Sequence, residues 1–124
     1  MICFFAIIPR PPRDLRCDDG GAPVLIVVVT TVQEPTSAIR KLADCASRVG
    51  GQFFVVGDRK GPKSFDLPGC EFFSLTCQLE LPFRLVRLLP VDHYSRKNIG
   101  YLLAIEQKTE CIFETDDDNC PTDV

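Results

Sequence analysis

An α/β layer fold with a mostly parallel sheet is the class this sequence predicts, on three observations. Val24–Val29 is an unbroken run of Val, Leu and Ile, the composition of a strand buried on both faces. An amphipathic helical pattern follows, and a second apolar run, Gln52–Val56, closes a strand–helix–strand unit within about thirty-five residues, the length of one right-handed crossover. Strand-like and helix-like segments then alternate as far as Cys111–Phe113.

Taken in order, Met1–Ile8 is apolar but lacks a basic segment before it and a small-residue cleavage site after it, so it reads weakly as a signal peptide. Residues 9–23 are rich in Pro and Gly and read as a linker. After the first strand, Glu34-Pro35-Thr36 signals a helix start with Thr36 or Glu34 near the cap. Ile39, Leu42, Ala43, Ala46 and Val49 then fall at helical spacing, with Arg40, Lys41, Asp44 and Arg48 opposite. Gly50-Gly51 stops this helix, because glycine accepts the left-handed cap conformation. Cys70–Leu75 predicts a short third strand and Gln78–Leu89 a short helix ended by Pro90. Residues from about Ser95 to Lys108 predict a longer helix that turns Ile99, Leu102, Leu103 and Ile105 toward the sheet.

Composition narrows the function classes. The chain has 124 residues, enough for one domain, with 45% apolar and 25% charged residues. No apolar run reaches the roughly 18–20 residues of a membrane-spanning helix. A net charge of −3 argues against a nucleic-acid partner, whose phosphates need a basic surface. The seven cysteines are odd in number and form no CxxC pair, which supports neither a zinc ribbon nor a dithiol redox motif. Cys45, Cys70 and Cys111 lie in or beside apolar segments, where a free thiol packs as a small hydrophobe.

Ligands of parallel sheets bind outside the carboxyl ends of the strands. Three polar clusters occupy those ends: Thr30-Thr31, Gly57-Asp58-Arg59-Lys60 and Asp116-Asp117-Asp118. Each alone also suits a solvated loop, and their joint placement on one rim favours a site. Three successive carboxylates repel one another unless a cation or basic neighbour offsets them, and Mg²⁺ or Mn²⁺ takes one or two carboxylates plus phosphate oxygens. EF-hand spacing is missing. A further cluster, His93-Tyr94-Ser95-Arg96-Lys97-Asn98, opens the last helix, where backbone amides, Arg96 and Lys97 favour an anion: a diphosphate or the nearby aspartates. His93 alone, without a second ligand, suits a structural role better than a metal. The chain has no Walker loop, GxGxxG or GxSxG elbow.

The string from His93 to Leu102 and the string Glu114-Thr115-Asp116-Asp117-Asp118-Asn119 closely resemble the STELLO-type glycosyltransferase-like family, itself similar to reversibly glycosylated polypeptides and nucleotide-sugar transferases of the GT-A fold. Val29-Thr30-Thr31, Glu34-Pro35-Thr36 and Val55–Lys60 share the resemblance, which runs over roughly residues 24–121. It implies a Rossmann-like sheet, the nucleotide-binding half of a GT-A-type fold, with 1–23 as an N-terminal segment and linker and 122–124 as a tail. It also implies a DxD motif that binds Mn²⁺ or Mg²⁺ and a nucleoside-diphosphate sugar, a UDP-sugar foremost. On that likeness Asp116 and Asp118 are the DxD carboxylates, Asp118 toward the metal and Asp116 toward both metal and ribose. Asp117 leaves the register open. Thr30, Thr31 and Asp58 line the base and ribose pocket, and Arg96 and Lys97 neutralise the diphosphate.

GT-A domains continue beyond DxD into an acceptor-binding half, and this chain ends at Val124. The expectation is therefore a truncated transferase domain, with a non-catalytic nucleotide-sugar-binding or assembly protein of the same fold as the alternative. An open sheet edge is expected as well. The resemblance suits a Golgi or other secretory-pathway membrane, and nothing in the residues chooses between that and the cytoplasm.

Overall fold

β2 (Leu25–Thr30) is central because its apolar run can be buried on both faces, and Ile26, Val27, Val28 and Val29 are all fully or almost fully enclosed. The computed structural model describes residues 4–7 and 24–120. β2 pairs in parallel with β3 (Gln52–Val56) on one side and with β5 (Cys111–Asp116) on the other, and β4 (Cys70–Phe73) extends the sheet in parallel beyond β3. β1 (Phe4–Ile7) runs antiparallel along the free side of β5, giving the order β1-β5-β2-β3-β4.

The side-chain alternation of the strands sorts the core into two layers. Val27, Val29, Phe53 and Val55 face α1 (Ser37–Arg48), through Ile39, Leu42, Ala43 and Ala46. Ile26, Val28, Phe54 and Val56 face α4 (Lys97–Glu106), through Ile99, Leu103 and Ala104. The result is a helix–sheet–helix sandwich, the α/β, Rossmann-like class that the sequence predicts. Thr36 is the cap of α1: its hydroxyl accepts from the Ile39 N–H. Gly50 terminates that helix at φ +70°. Gly100 allows α4 to lie against the sheet, since a Cβ there would collide with Val28 Cγ1 and press on Val56 Cγ2 at 3.1 Å.

Four details differ from the sequence reading. Phe4–Ile7, read as part of an N-terminal segment, supplies a strand that covers the edge of β5 expected to be open. Residues 1–3, 8–23 and 121–124, which hold all of the linker and all of the tail, lie outside the described residues. The helix expected over Gln78–Leu89 is two short ones, α2 (Leu75–Leu79) and α3 (Leu85–Leu88). Ser74 caps α2 by accepting from the Cys77 N–H, and Pro82, lacking an N–H, cannot continue it. Val49 and Ile105, expected in the core, are 64% and 51% exposed. Val49 has already left the helix as its C-cap, and Ile105 follows Ala104 round to the solvent side. The described cysteines are free thiols: Cys70 and Cys111 are half-buried as expected, whereas Cys45 lies on the exposed side of α1.

Candidate functional site

In chain order the parallel strands step from β2 outward through β3 to β4, and the chain then returns to place β5 on the other side of β2. Crossovers leave in opposite directions at that point, so a crevice opens between the carboxyl ends of β2 and β5. Thr30 pairs with Asp116 at its floor. A cavity of about 460 Å³ lies there, lined by Thr30, Thr31, Asp58, Asp116, Asp117 and Asp118, and also by Val32, Lys60, Asp92, His93 and Tyr94. Six of the eight residues named in the resemblance therefore meet at one cavity; Arg96 and Lys97 are not in its lining.

The three acids of the β5 loop have different surroundings. A turn closed by the Asn119 N–H on the Asp116 carbonyl (3.3 Å) separates them. Asp117 faces the β2–α1 loop: Thr31 Oγ1 donates to its Oδ2 at 2.7 Å, and Thr36 Oγ1 donates to its carbonyl at 2.7 Å. The cap of α1 thus also anchors the acidic turn. Asp116 and Glu114 lie two residues apart on β5 and share the α4 side of the sheet, which brings both to Lys97. Lys97 Nζ, almost fully buried, lies 3.0 Å from Asp116 Oδ1 and 3.4 Å from Glu114 Oε1. Asp118 is exposed and makes no hydrogen bond or ion pair with the described residues.

Asp58 staples two loops together. Its Oδ1 accepts from the N–H groups of Arg59 and Asp92, both at 2.7 Å, and its Oδ2 accepts from the His93 N–H at 3.0 Å. Asp92 returns the contact: its carboxylate accepts from the Lys60 N–H at 3.1 Å and from Arg59 Nε at 2.9 Å. The next turn (Tyr94–Arg96) leads into α4, with the His93 ring accepting from the Ser95 N–H.

Arg96 is turned away from the acids. Its side chain is fully enclosed, with Nε and Nη2 on Gln78 Oε1 (3.0 and 2.8 Å) and Nη1 on the Leu89 carbonyl (3.1 Å). Gln78 in turn donates to the carbonyls of Gly57 and Phe73, both at 2.8 Å. Burial lowers the Arg96 pKa from its ordinary value, and the Asp58 charge partly opposes that shift. Of the two neighbouring cations read as diphosphate ligands, the structure brings Lys97 to the acids and commits Arg96 to the core.

Sequence reading named Lys60, His93 and Tyr94 in polar clusters without giving them a place in the pocket, and it did not single out Val32 and Asp92 as lining residues or Glu114 as a partner of Lys97. Lys60 was visible at a strand end. Asp92 and Tyr94 carried no signal beyond their closeness to a helix start. Among the described residues no group of three or more His, Cys, Asp or Glu side chains converges to hold a metal. Asp116 and Asp118 both line the cavity, and a hard cation held there would take its remaining ligands from phosphate and water.

No protein-family model matches the chain. Over 91 residues, 73% of its length, it is 36% identical to the probable glycosyltransferase STELLO2 of Arabidopsis thaliana and 35% identical to the probable glycosyltransferase STELLO1 of the same plant. The chain spans 12% and 11% of the length of those two curated relatives.

Proposed function

From the premise that this chain is STELLO-like and its fold a glycosyltransferase-like domain, we propose that it binds a nucleoside-diphosphate sugar, a UDP-sugar foremost, at the β2–β5 crevice. One observation carries the reading: six of the residues named for that chemistry, from three separate strand ends, line a single cavity at the switch point of the sheet. Asp118 offers a free carboxylate there, and Asp116 a second one that is two-thirds exposed beside Lys97. Those two fit a Mn²⁺ or Mg²⁺ ion that shares phosphate oxygens. When bound, the ion supplies charge neutralisation to a departing nucleoside diphosphate. Lys60 contributes positive charge in the lining of the same cavity, Lys97 contributes it from behind the Asp116 carboxylate, and Thr30 is a further lining residue. Arg96 has no part in this reading, since its side chain is enclosed in the core on Gln78 and the Leu89 carbonyl and does not line the cavity.

Binding without turnover is the second reading, and it too has an observation in its favour. Asp58, Asp92, Asp116 and Asp117 are already engaged by backbone amides, cations or hydroxyls, which leaves Asp118 as the lining carboxylate without a partner among the described residues. Calorimetric titration with UDP and UDP-sugars, with and without Mn²⁺, tests the shared claim. Metal-enhanced binding is expected; no binding under either condition overturns it. Release of a labelled sugar from its nucleotide then separates transferase from binder.

A further inference from the structure

Tyr94 is a large aromatic side chain left 79% exposed at the cavity, where it forgoes the burial that such a ring ordinarily finds. It is nonetheless fixed in place. Its ring stacks on His93 with centroids 4.3 Å apart and planes 30° from parallel. The His93 ring is held by Ser95, whose N–H donates to Nδ1 at 3.1 Å and whose Oγ lies 2.7 Å from the same nitrogen. The backbone just before the pair is strained, with Asp92 at φ +54°. That conformation is kept by the reciprocal carboxylates: Asp58 accepts from the N–H groups of Asp92 and His93, and Asp92 binds Lys60 and Arg59. A strained, well-anchored loop that holds an aromatic ring in water needs a reason, and the acidic turn across the cavity suggests one.

We infer that Tyr94 is a stacking platform for a nucleobase, backed by His93, with Asp58 as the positioning residue that holds the platform. The inference rests on the nucleotide reading above and adds where the base sits. Every base presents a π-face, and stacking on an aromatic side chain needs no matched hydrogen bonds. A ring already fixed loses little freedom when the base arrives. Asp58 serves this arrangement through the backbone, because both its oxygens are already occupied by N–H donors.

The chain has two tyrosines and no tryptophan, so its emission comes from Tyr94 and from Tyr101, which packs partly buried against the core. UDP with Mn²⁺ is expected to quench that emission; Tyr101→Phe keeps the quench and Tyr94→Leu loses it. Tyr94→Leu lowers UDP affinity on the order of tenfold, whereas Tyr94→Phe keeps it. Neither changes affinity for inorganic pyrophosphate, which has no base. Asp58→Asn follows Tyr94→Leu: weaker UDP, unchanged pyrophosphate, reduced quench. UDP binding by Tyr94→Leu equal to that of the unaltered protein, with the quench intact, overturns the platform while leaving the nucleotide reading standing. Failure of the unaltered protein to bind either UDP or pyrophosphate overturns both.

Discussion

The Arg96 guanidinium grips the Gln78 side-chain oxygen with two donors, at 3.0 and 2.8 Å, inside the molecule. Gln78 passes the connection to the carbonyls of Gly57 and Phe73, so one network ties the start of α4 to the ends of β3 and β4. Lys97, the next residue, reaches Asp116 and Glu114 instead. Two adjacent cations therefore do separate jobs, and substitution should separate them.

Arg96→Ala leaves Gln78 Oε1 buried without a donor and removes the donor of the partly buried Leu89 carbonyl. It is expected to destabilise the fold by about 3 kcal/mol in urea denaturation. Arg96→Lys recovers little, since an ammonium cannot supply the planar pair of donors. A stable Arg96→Ala protein that loses UDP binding would instead make Arg96 a ligand.

Lys97→Met removes the resident cation from Asp116 and Glu114. Affinity for Mn²⁺ in the absence of nucleotide should rise severalfold, because two carboxylates are released to a competing cation. UDP affinity should fall, and its salt dependence with it. Mn²⁺ titration followed by electron paramagnetic resonance checks the first effect, and unchanged metal affinity would show that Asp116 is not the shared group.

Asp117 and Asp118 are neighbours with opposite expected phenotypes. Asp117→Ala removes the shorter of the two acceptors of the buried Thr31 hydroxyl, leaving it the Gln33 carbonyl at 3.2 Å, and should cost about 1 kcal/mol of stability. Asp118→Asn should leave the urea midpoint unchanged and abolish the Mn²⁺ enhancement of UDP binding, seen by paired denaturation and calorimetry. A large shift in the midpoint for Asp118→Asn would argue against its role at the site.

Gly100→Ala places a methyl against Val28 and Val56, two β-branched side chains in the core that have little room to turn aside. The expected loss is about 1–3 kcal/mol, the usual cost of overpacking, although alanine is the better helix former. Thermal denaturation reads it directly; a raised melting temperature would mean that α4 lifts from the sheet at no cost.

Burial pushes the Cys70 thiol up to about 11, and burial also raises Cys111. The fold therefore favours the neutral thiol. Its contribution is fully present below the ordinary thiol range and is lost as pH climbs toward 11. Stability should fall over that window, and Cys70→Ala should flatten the fall. Thiol labelling near neutral pH should reach the exposed Cys45, Cys77 and Cys120 well before Cys70.

The sequence by itself determined the parallel strands, the two main helices and the rim on which the polar clusters meet, but not the antiparallel strand Phe4–Ile7. Those features follow from local periodicity, caps and breakers: the apolar run at Leu25–Val29, the Thr36 cap, Gly50, and the acids placed directly after β5. Pro82 was equally visible, yet the helix it divides was read through, because leucine spacing outweighed a single missing donor. Tertiary structure alone decided which partner each polar side chain takes. Arg96 meets Gln78 from 18 positions away, Lys97 meets Asp116 from 19, and Asp58 meets the Asp92 amide from 34. A charge beside another in the chain can point elsewhere once a helix turns it, and its contacts depend on which elements the sheet order brings alongside.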